Sequence, residues 1–293
     1  MGYDCAVNFD RVYKMIFVPT YGSDGTRNTI DPSVVFDQTF LDAKINAVNP
    51  ADRSYITPEL KDVVPTTADT TFKEFNDGSK ERVRSGIISW AAIFNNKNHT
   101  FACKLAHNNC IDFGVYLIDI QGNVLGLVLG DKLAPIPIQA FDPKYMFQST
   151  EQLSHVALGF DFAPIVNVCS LDVIEADNIE ADLLGAKGLL DVYAKVITST
   201  VGNIEVKFEL SYGSFGKKIG VAGVEVADIV SLKNVTQNLT LTVVSVTEDT
   251  VNKGTYTIVY TPSTTVATDI LQLEIQKDNY DFNPVKDTII TVA

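Results

Sequence analysis

The stretch Asn203-Ile204-Glu205-Val206-Lys207-Phe208-Glu209-Leu210 alternates without a break, apolar residues at even positions and polar or charged ones at odd positions. A period of two belongs to a strand with one face buried and the other in water. The same pattern returns at Leu239-Leu241-Val243, Tyr256-Ile258-Tyr260 and Leu271-Leu273-Ile275, and a last strand can be drawn through Thr288 to Val292. Turn residues punctuate these runs, among them Gly213, Gly216, Gly220, Asn252-Lys253-Gly254 and Pro262-Ser263.

Strands at this spacing describe an immunoglobulin-like β-sandwich of about 100 residues. We place it at residues 196–293. The region holds no Cys and no Trp, so the antibody-type disulfide core is absent and the likeness is one of architecture.

Upstream, the chain is also predicted to be mainly β. Arg11 to Val18 reads as a strand. Residues 19 to 78 are broken by Asp31-Pro32, Asn49-Pro50, Thr57-Pro58 and Val64-Pro65, which predicts short strands joined by long surface loops. From Ser79 to Phe94 the apolar residues Val83, Ile87, Trp90, Ala91 and Phe94 fall near helical spacing, with Ser79 as a cap, although Gly86 and Ile87-Ile88 leave a strand open. Thr100 to Ala106 alternates as a strand. Phe113 to Ile120 and Val124 to Leu129 make a hairpin about Gln121-Gly122-Asn123. Val156, Leu158, Phe160 and Phe162 alternate with His155, Ala157, Gly159 and Asp161, one face dry and one partly wet. Between Leu171 and Val192, Glu175-Ala176-Asp177 is echoed by Glu180-Ala181-Asp182. The expected organisation is a β-barrel or sandwich assembly domain over 1–170 with a short helix and long loops, an acidic linker over 171–195, and the terminal sandwich.

The charge is lopsided. There are 23 Lys and Arg against 36 Asp and Glu, a formal net charge of −13 shared by both parts of the chain. A surface of this sign repels nucleic acid, and no basic stripe offers phosphate contacts. Met1-Gly2-Tyr3-Asp4-Cys5 lacks the basic and apolar segments of a secretory signal, and no run has the length of a membrane span. Cys5, Cys103, Cys110 and Cys169 are scattered, as fits reduced thiols better than a disulfide scaffold.

Chemistry finds little purchase. The three histidines are His99, His107 and His155. His99 lies in a polar stretch, and His155 falls on the wet face of its strand. His107 near Cys103 or Cys110 lacks the flanking signature of a thiol–imidazole pair, and these residues are not spaced as a zinc site. The acids of 172–182 read as a solvated linker before they read as a cation site. Gly213-Ser214-Phe215-Gly216-Lys217-Lys218 lacks the first Gly and the Ser or Thr of a phosphate-binding loop. The matches to glycosylation sequons at Asn98, Asn234 and Asn238 read as chance. No catalytic, cofactor-binding or metal residue is assigned, no cofactor is expected, and the chain is read as a non-enzyme.

Several segments carry a family resemblance. Phe75-Asn76-Asp77-Gly78-Ser79-Lys80-Glu81-Arg82-Val83-Arg84-Ser85-Gly86 is followed by Cys103-Lys104-Leu105, Gly114-Val115-Tyr116-Leu117-Ile118-Asp119 and Gly122-Asn123-Val124-Leu125-Gly126. In this order they resemble virion structural proteins of tailed bacteriophages, of a tail-tube-like type. After Gly188-Leu189-Leu190-Asp191-Val192, the stretch Gly254-Thr255-Tyr256-Thr257-Ile258-Val259-Tyr260 is similar to late strands of bacterial and phage immunoglobulin-like modules. The resemblance spans residues 70 to 293. It implies a protomer that joins a cyclic homo-oligomer, a ring or tube in the tail or head–tail connector of the virion. Its partners would be other virion proteins and DNA passing through a lumen without specific binding, with no membrane role. The loops before Gly78 would reach adjacent subunits. The alternative is a capsid decoration, fibre or adhesin protein that binds host-surface glycans through the terminal sandwich, using Tyr212, Phe215, Tyr280 or Phe282.

Overall fold

A computed structural model describes residues 9–34, 36–66, 71–84, 86–94, 99–107, 112–151, 153–214, 217–262, 265–286 and 288–293. The protein is mainly β and divides into two units, which meet in sequence at Gly188 and Leu189.

The first unit begins with β1 (Val12–Pro19), α1 (Gln38–Ile45), β2 (Tyr55–Ile56), β3 (Leu60–Pro65), β4 (Thr71–Glu74), β5 (Lys80–Arg84) and β6 (Ser89–Phe94). It continues through α2 (His99–His107), β7 (Phe113–Asp119), β8 (Val124–Leu129), β9 (Lys132–Ala134), β10 (Ile136–Met146), β11 (His155–Phe162) and β12 (Leu171–Ile174). Ten of these strands form one sheet whose path, among the described residues, runs β12-β8-β7-β10-β11-β6-β3 without closing; β1 joins β7, β2 joins β1 and β9 joins β8. The barrel expected for this part is thus an open half-barrel. Its spine is β7, every residue of which is buried, and β1 lies antiparallel to it from Val12 opposite Asp119 to Pro19 opposite Phe113. The core gathers Met15 and Phe17 of β1, Leu117 of β7, Phe94 of β6 and Phe160 and Phe162 of β11. As expected, β11 is dry on the face of Val156, Leu158, Phe160 and Phe162 and partly wet on the other.

Two local expectations reverse. The helix drawn from Ser79 to Phe94 is instead the strands β5 and β6. Ser79 caps no helix: its backbone N–H and hydroxyl donate to Asp77 Oδ1 at 2.9 and 2.6 Å, closing the β4–β5 hairpin. The hairpin partner lies upstream, where a period count over 79–94 does not look. Conversely, the strand expected over Thr100 to Ala106 is α2. Positions two and four apart satisfy a strand, but Ala102 and Leu105, three apart, are the pair turned inward. A helix also stands unforeseen in the Pro-broken region, where the Asp37 side chain accepts from Phe40 N at 2.7 Å to cap α1, and Leu41 and Ile45 are buried.

The segment 171–195 is not a free linker. Leu171–Ile174 pairs with β8 as β12. Phe36 O then accepts from both Glu180 N and Ala181 N at 3.0 Å, and Leu183 is buried. The boundary expected at Lys195 falls inside a strand.

That strand opens the second unit: β13 (Leu190–Thr200), β14 (Asn203–Ser214), β15 (Lys217–Gly220), β16 (Ile229–Asn234), β17 (Leu239–Leu241) and β18 (Val243–Glu248). Then come β19 (Thr255–Tyr260), β20 (Ile270–Ile275), β21 (Tyr280–Asp281), α3 (Asn283–Lys286) and β22 (Ile290–Thr291). One sheet has the order β18-β19-β14-β13-β21, with β15 on β14, and the other has β17-β16-β20-β22. Ile204, Val206, Phe208, Tyr256 and Ile258 of the first sheet share a single core with Leu232, Leu241, Leu271, Leu273 and Ile290 of the second, which makes a two-sheet sandwich. The alternation of Asn203 to Leu210 holds throughout, its even positions buried and Glu205, Lys207 and Glu209 partly exposed. The run Leu239-Leu241-Val243, expected as one strand, is cut at Thr242, because the chain crosses there from β17 in one sheet to β18 in the other. At Gly254 φ is +82°, and a Cβ would come within 2.5 Å of Gly220 Cα, so a side chain is excluded on both conformational and steric grounds.

Candidate functional site

A space of about 30 Å³ beside Ile30, Phe36, Leu41 and Tyr116 holds one or two waters at most. Among the described residues no three His, Cys, Asp or Glu side chains gather in a metal-holding group, and no helix is long and apolar enough to cross a membrane.

The residues weighed for chemistry are dispersed. His99 is exposed at the start of α2. His155 begins β11 and its Nδ1 lies 2.9 Å from Leu153 O. Cys103 on α2 and Cys169 lie exposed on the surface. Cys5, Cys110 and Phe215 lie outside the described residues, and nothing is assigned to the side chains of His107 or Tyr212. Phe282 is buried and Tyr280, half-buried, packs against the same core, their rings 6.2 Å apart. Asn234, the acceptor of one sequon match, is fully buried and donates to Asp269 Oδ2 at 2.7 Å.

Buried polar groups serve the fold. Tyr116 donates to Leu133 O at 2.9 Å, and burial raises its phenol well above the ordinary range. Asp269 Oδ2 accepts from Asn234, from Gln237 Nε2 at 2.8 Å and from Val266 N at 3.0 Å, tying two loops of the sandwich together.

Exposed apolar side chains occur in both units, Ile165 and Val251 among them, and they are joined by an aromatic at the far half of β10 and the tip beyond it. After Ile136 and Pro137, which pair with β7, the strand's ladder partner among the described residues is β11, from Ile138 opposite Phe162 to Met146 opposite His155. Among the described residues no strand pairs with its other side, and α2 packs against it. Pro143 sits in this stretch, as tolerated where a backbone N–H has no ladder duty, and Lys144 and Asp142 pair beside it at 2.5 Å. Proline and charge are the usual guards of an open edge. The tip is unguarded: Met146, Phe147 and Leu153 are exposed, Phe147 by 83 %. Phe147 meets Tyr145 edge-on at 5.1 Å, and Tyr145 meets His99 of α2 at 6.2 Å. Between residues 138 and 155 the charged side chains are Asp142, Lys144 and Glu151, so this tip is nearly neutral in a chain of net charge −13. It offers apolar contact where two acidic bodies repel least. The sequence places Phe147 at the head of the polar loop Phe147-Gln148-Ser149-Thr150-Glu151, two residues after Tyr145. No protein-family model, no curated protein and no solved structure matches the chain.

Proposed function

We propose that the chain is a structural subunit of a tailed-phage virion, assembling through its first unit into a ring or tube of the tail or head–tail connector. The observation that carries the assembly reading is the neutral, aromatic tip of the β10–β11 hairpin. A monomer has little use for a phenylalanine exposed to this degree, whereas a neighbouring subunit would bury it. Closed symmetry suits such a contact, because a patch that meets a different surface on the next copy generates rings or tubes. The virion setting rests on the sequence resemblance, and the acidic surface fits a lumen that DNA passes without adhering.

The second unit is read as an immunoglobulin-like module. Its first, second, seventh and sixth strands (β13, β14, β19, β18) lie side by side. Its fourth, eighth and last (β16, β20, β22) form the opposing sheet, with β17 beside β16. That neighbour order supports the reading.

Light scattering over a concentration series, with negative-stain imaging of the same samples, tests the assembly. Rings or tubes of uniform diameter are expected. A protein that stays monomeric at high concentration overturns the reading and favours a surface-binding module, to be followed with glycan-binding assays.

A further inference from the structure

Lys14 stands on β1 among Val12, Met15, Ile16 and Phe17, and like them it is buried, at 6 % exposure. An amine in that position must find hydrogen-bond partners. Both come from one place, since Nζ donates to Leu184 O and, at 2.7 Å, to Ala186 O. The receiving segment is a turn in which Ala186 N returns to Asp182 O at 3.0 Å and Gly185 N to Asp182 Oδ1 at 2.7 Å. Its upstream end is held by the parallel bridge of Ile179 to Phe36 and by Asp182 N donating to Gln38 Oε1 at 3.0 Å. Ala181 and Leu183 are its apolar anchors. At its downstream end Gly188 runs so close to β2 that a Cβ would lie 2.8 Å from Ile56 O. Burial lowers the amine's affinity for its proton, while Asp182 and Glu59 raise it and Lys187 opposes them. An apolar residue at position 14 would serve the core as well. The lysine instead fixes where residues 179–188 lie.

We propose that residues 179–188 form a strap held shut by Lys14, a conformational device that governs whether the stretch leading into the second unit is docked or free. Leu190 N is already bonded to Asn279 O at 3.0 Å, so only Leu189 separates the docked strap from the first bonded residue of the second unit. Release frees the chain from Ile179 onward.

Lys187 is exposed and offers trypsin a target whose cleavage requires the strap to open. In the full-length chain, Lys14→Met should speed cleavage after Lys187 by roughly tenfold or more, the effect expected from losing charged hydrogen bonds. The product is the fragment 188–293, and amide protection in β7 stays as in the wild type. Cleavage at the wild-type rate overturns the proposal. Should Lys14→Met also loosen β7, Leu183→Ser, which removes an anchor and keeps the amine, decides. Faster cleavage with β7 protected supports the strap, and an unchanged rate overturns it. Neither result depends on whether the protein assembles.

Discussion

Asn123 Nδ2 donates to Asp119 Oδ2 at 2.7 Å, and both side chains are buried at the β7–β8 turn. The Asp119 carboxylate also accepts from Gln121 N at 2.8 Å, Asn123 N at 2.9 Å and Asp10 N at 3.1 Å. Asn123 Oδ1 passes the order on by accepting from Ala176 N at 2.8 Å. One carboxylate thus ties the turn to the chain entering β1, and through Asn123 to the segment after β12. Asp119→Ala leaves several buried donors unmet and should destabilise the first unit by about 3 kcal/mol. Urea unfolding followed by a probe in that unit checks this, and a loss below about 1 kcal/mol would show that water replaces the carboxylate.

Phe208 is fully buried between Tyr256, 5.5 Å away, and Phe282, 5.6 Å away. Phe208→Ala should cost about 4 kcal/mol, the transfer term plus a cavity that rigid ring neighbours cannot fill. Lys195→Thr on the exposed face of β13 should change stability by no more than about 0.5 kcal/mol. Thermal unfolding of the two variants measures the contrast, and equal effects would contradict the inward and outward assignment of this sheet.

The sandwich was legible because strands such as Asn203–Leu210 present one wet and one dry face, and a period of two states that directly. Legibility failed where one pattern fits two structures. Phe101, Cys103 and Leu105 alternate, yet positions 101 and 105 also share a helix face, and only Ala102 distinguishes the two. Ser79 is as good a turn residue as a cap, and which it becomes depends on Asp77 and on a strand eight residues upstream. The acids of 175–182 look like a solvated linker because the anchors that dock them, Phe36 O and Lys14, lie far away in sequence. The exposed tip at Phe147 has no periodic signature, since exposure is set by what the fold fails to cover.

Several turns depend on ionised carboxylates. The Ser79 hydroxyl and N–H pull the Asp77 carboxyl below its ordinary range, Ser23 does the same for Asp52, and the backbone N–H groups of Asn252 and Val251 do so for Asp249. At Glu248 Gly254 N lowers the carboxyl most, burial opposes it, and Gly223 N adds a lesser lowering. A carboxyl whose folded pKa is depressed contributes stability above its unfolded value of about 4 and loses it as pH falls through the folded value. Relief of the −13 net charge on acidification acts in the opposite direction, but the dispersed surface charges are screened at moderate salt while the turn hydrogen bonds are not. The urea midpoint should therefore be level near neutrality and fall below about pH 4. Glu248→Gln should flatten part of that fall in the second unit, and a midpoint that rises on acidification would show that charge repulsion dominates.

Phe147 separates folding from assembly. Its ring is 83 % exposed and meets Tyr145 only edge-on, so Phe147→Ser removes little that the isolated chain uses. Monomer stability should shift by no more than about 0.5 kcal/mol. If the tip is buried by a neighbouring copy, the same change removes an aromatic anchor from the interface, where such residues carry a disproportionate share of the binding free energy. The midpoint concentration of assembly should then rise by roughly tenfold or more, since each 1.4 kcal/mol lost is a factor of about ten. Leu153→Ser, on the other arm of the same tip and 59 % exposed, should act in the same direction. Sedimentation velocity on wild type and both variants gives the answer. Assembly unchanged in both variants would move the interface elsewhere, to β3 or β12 at the ends of the described strand path, while leaving the fold as described.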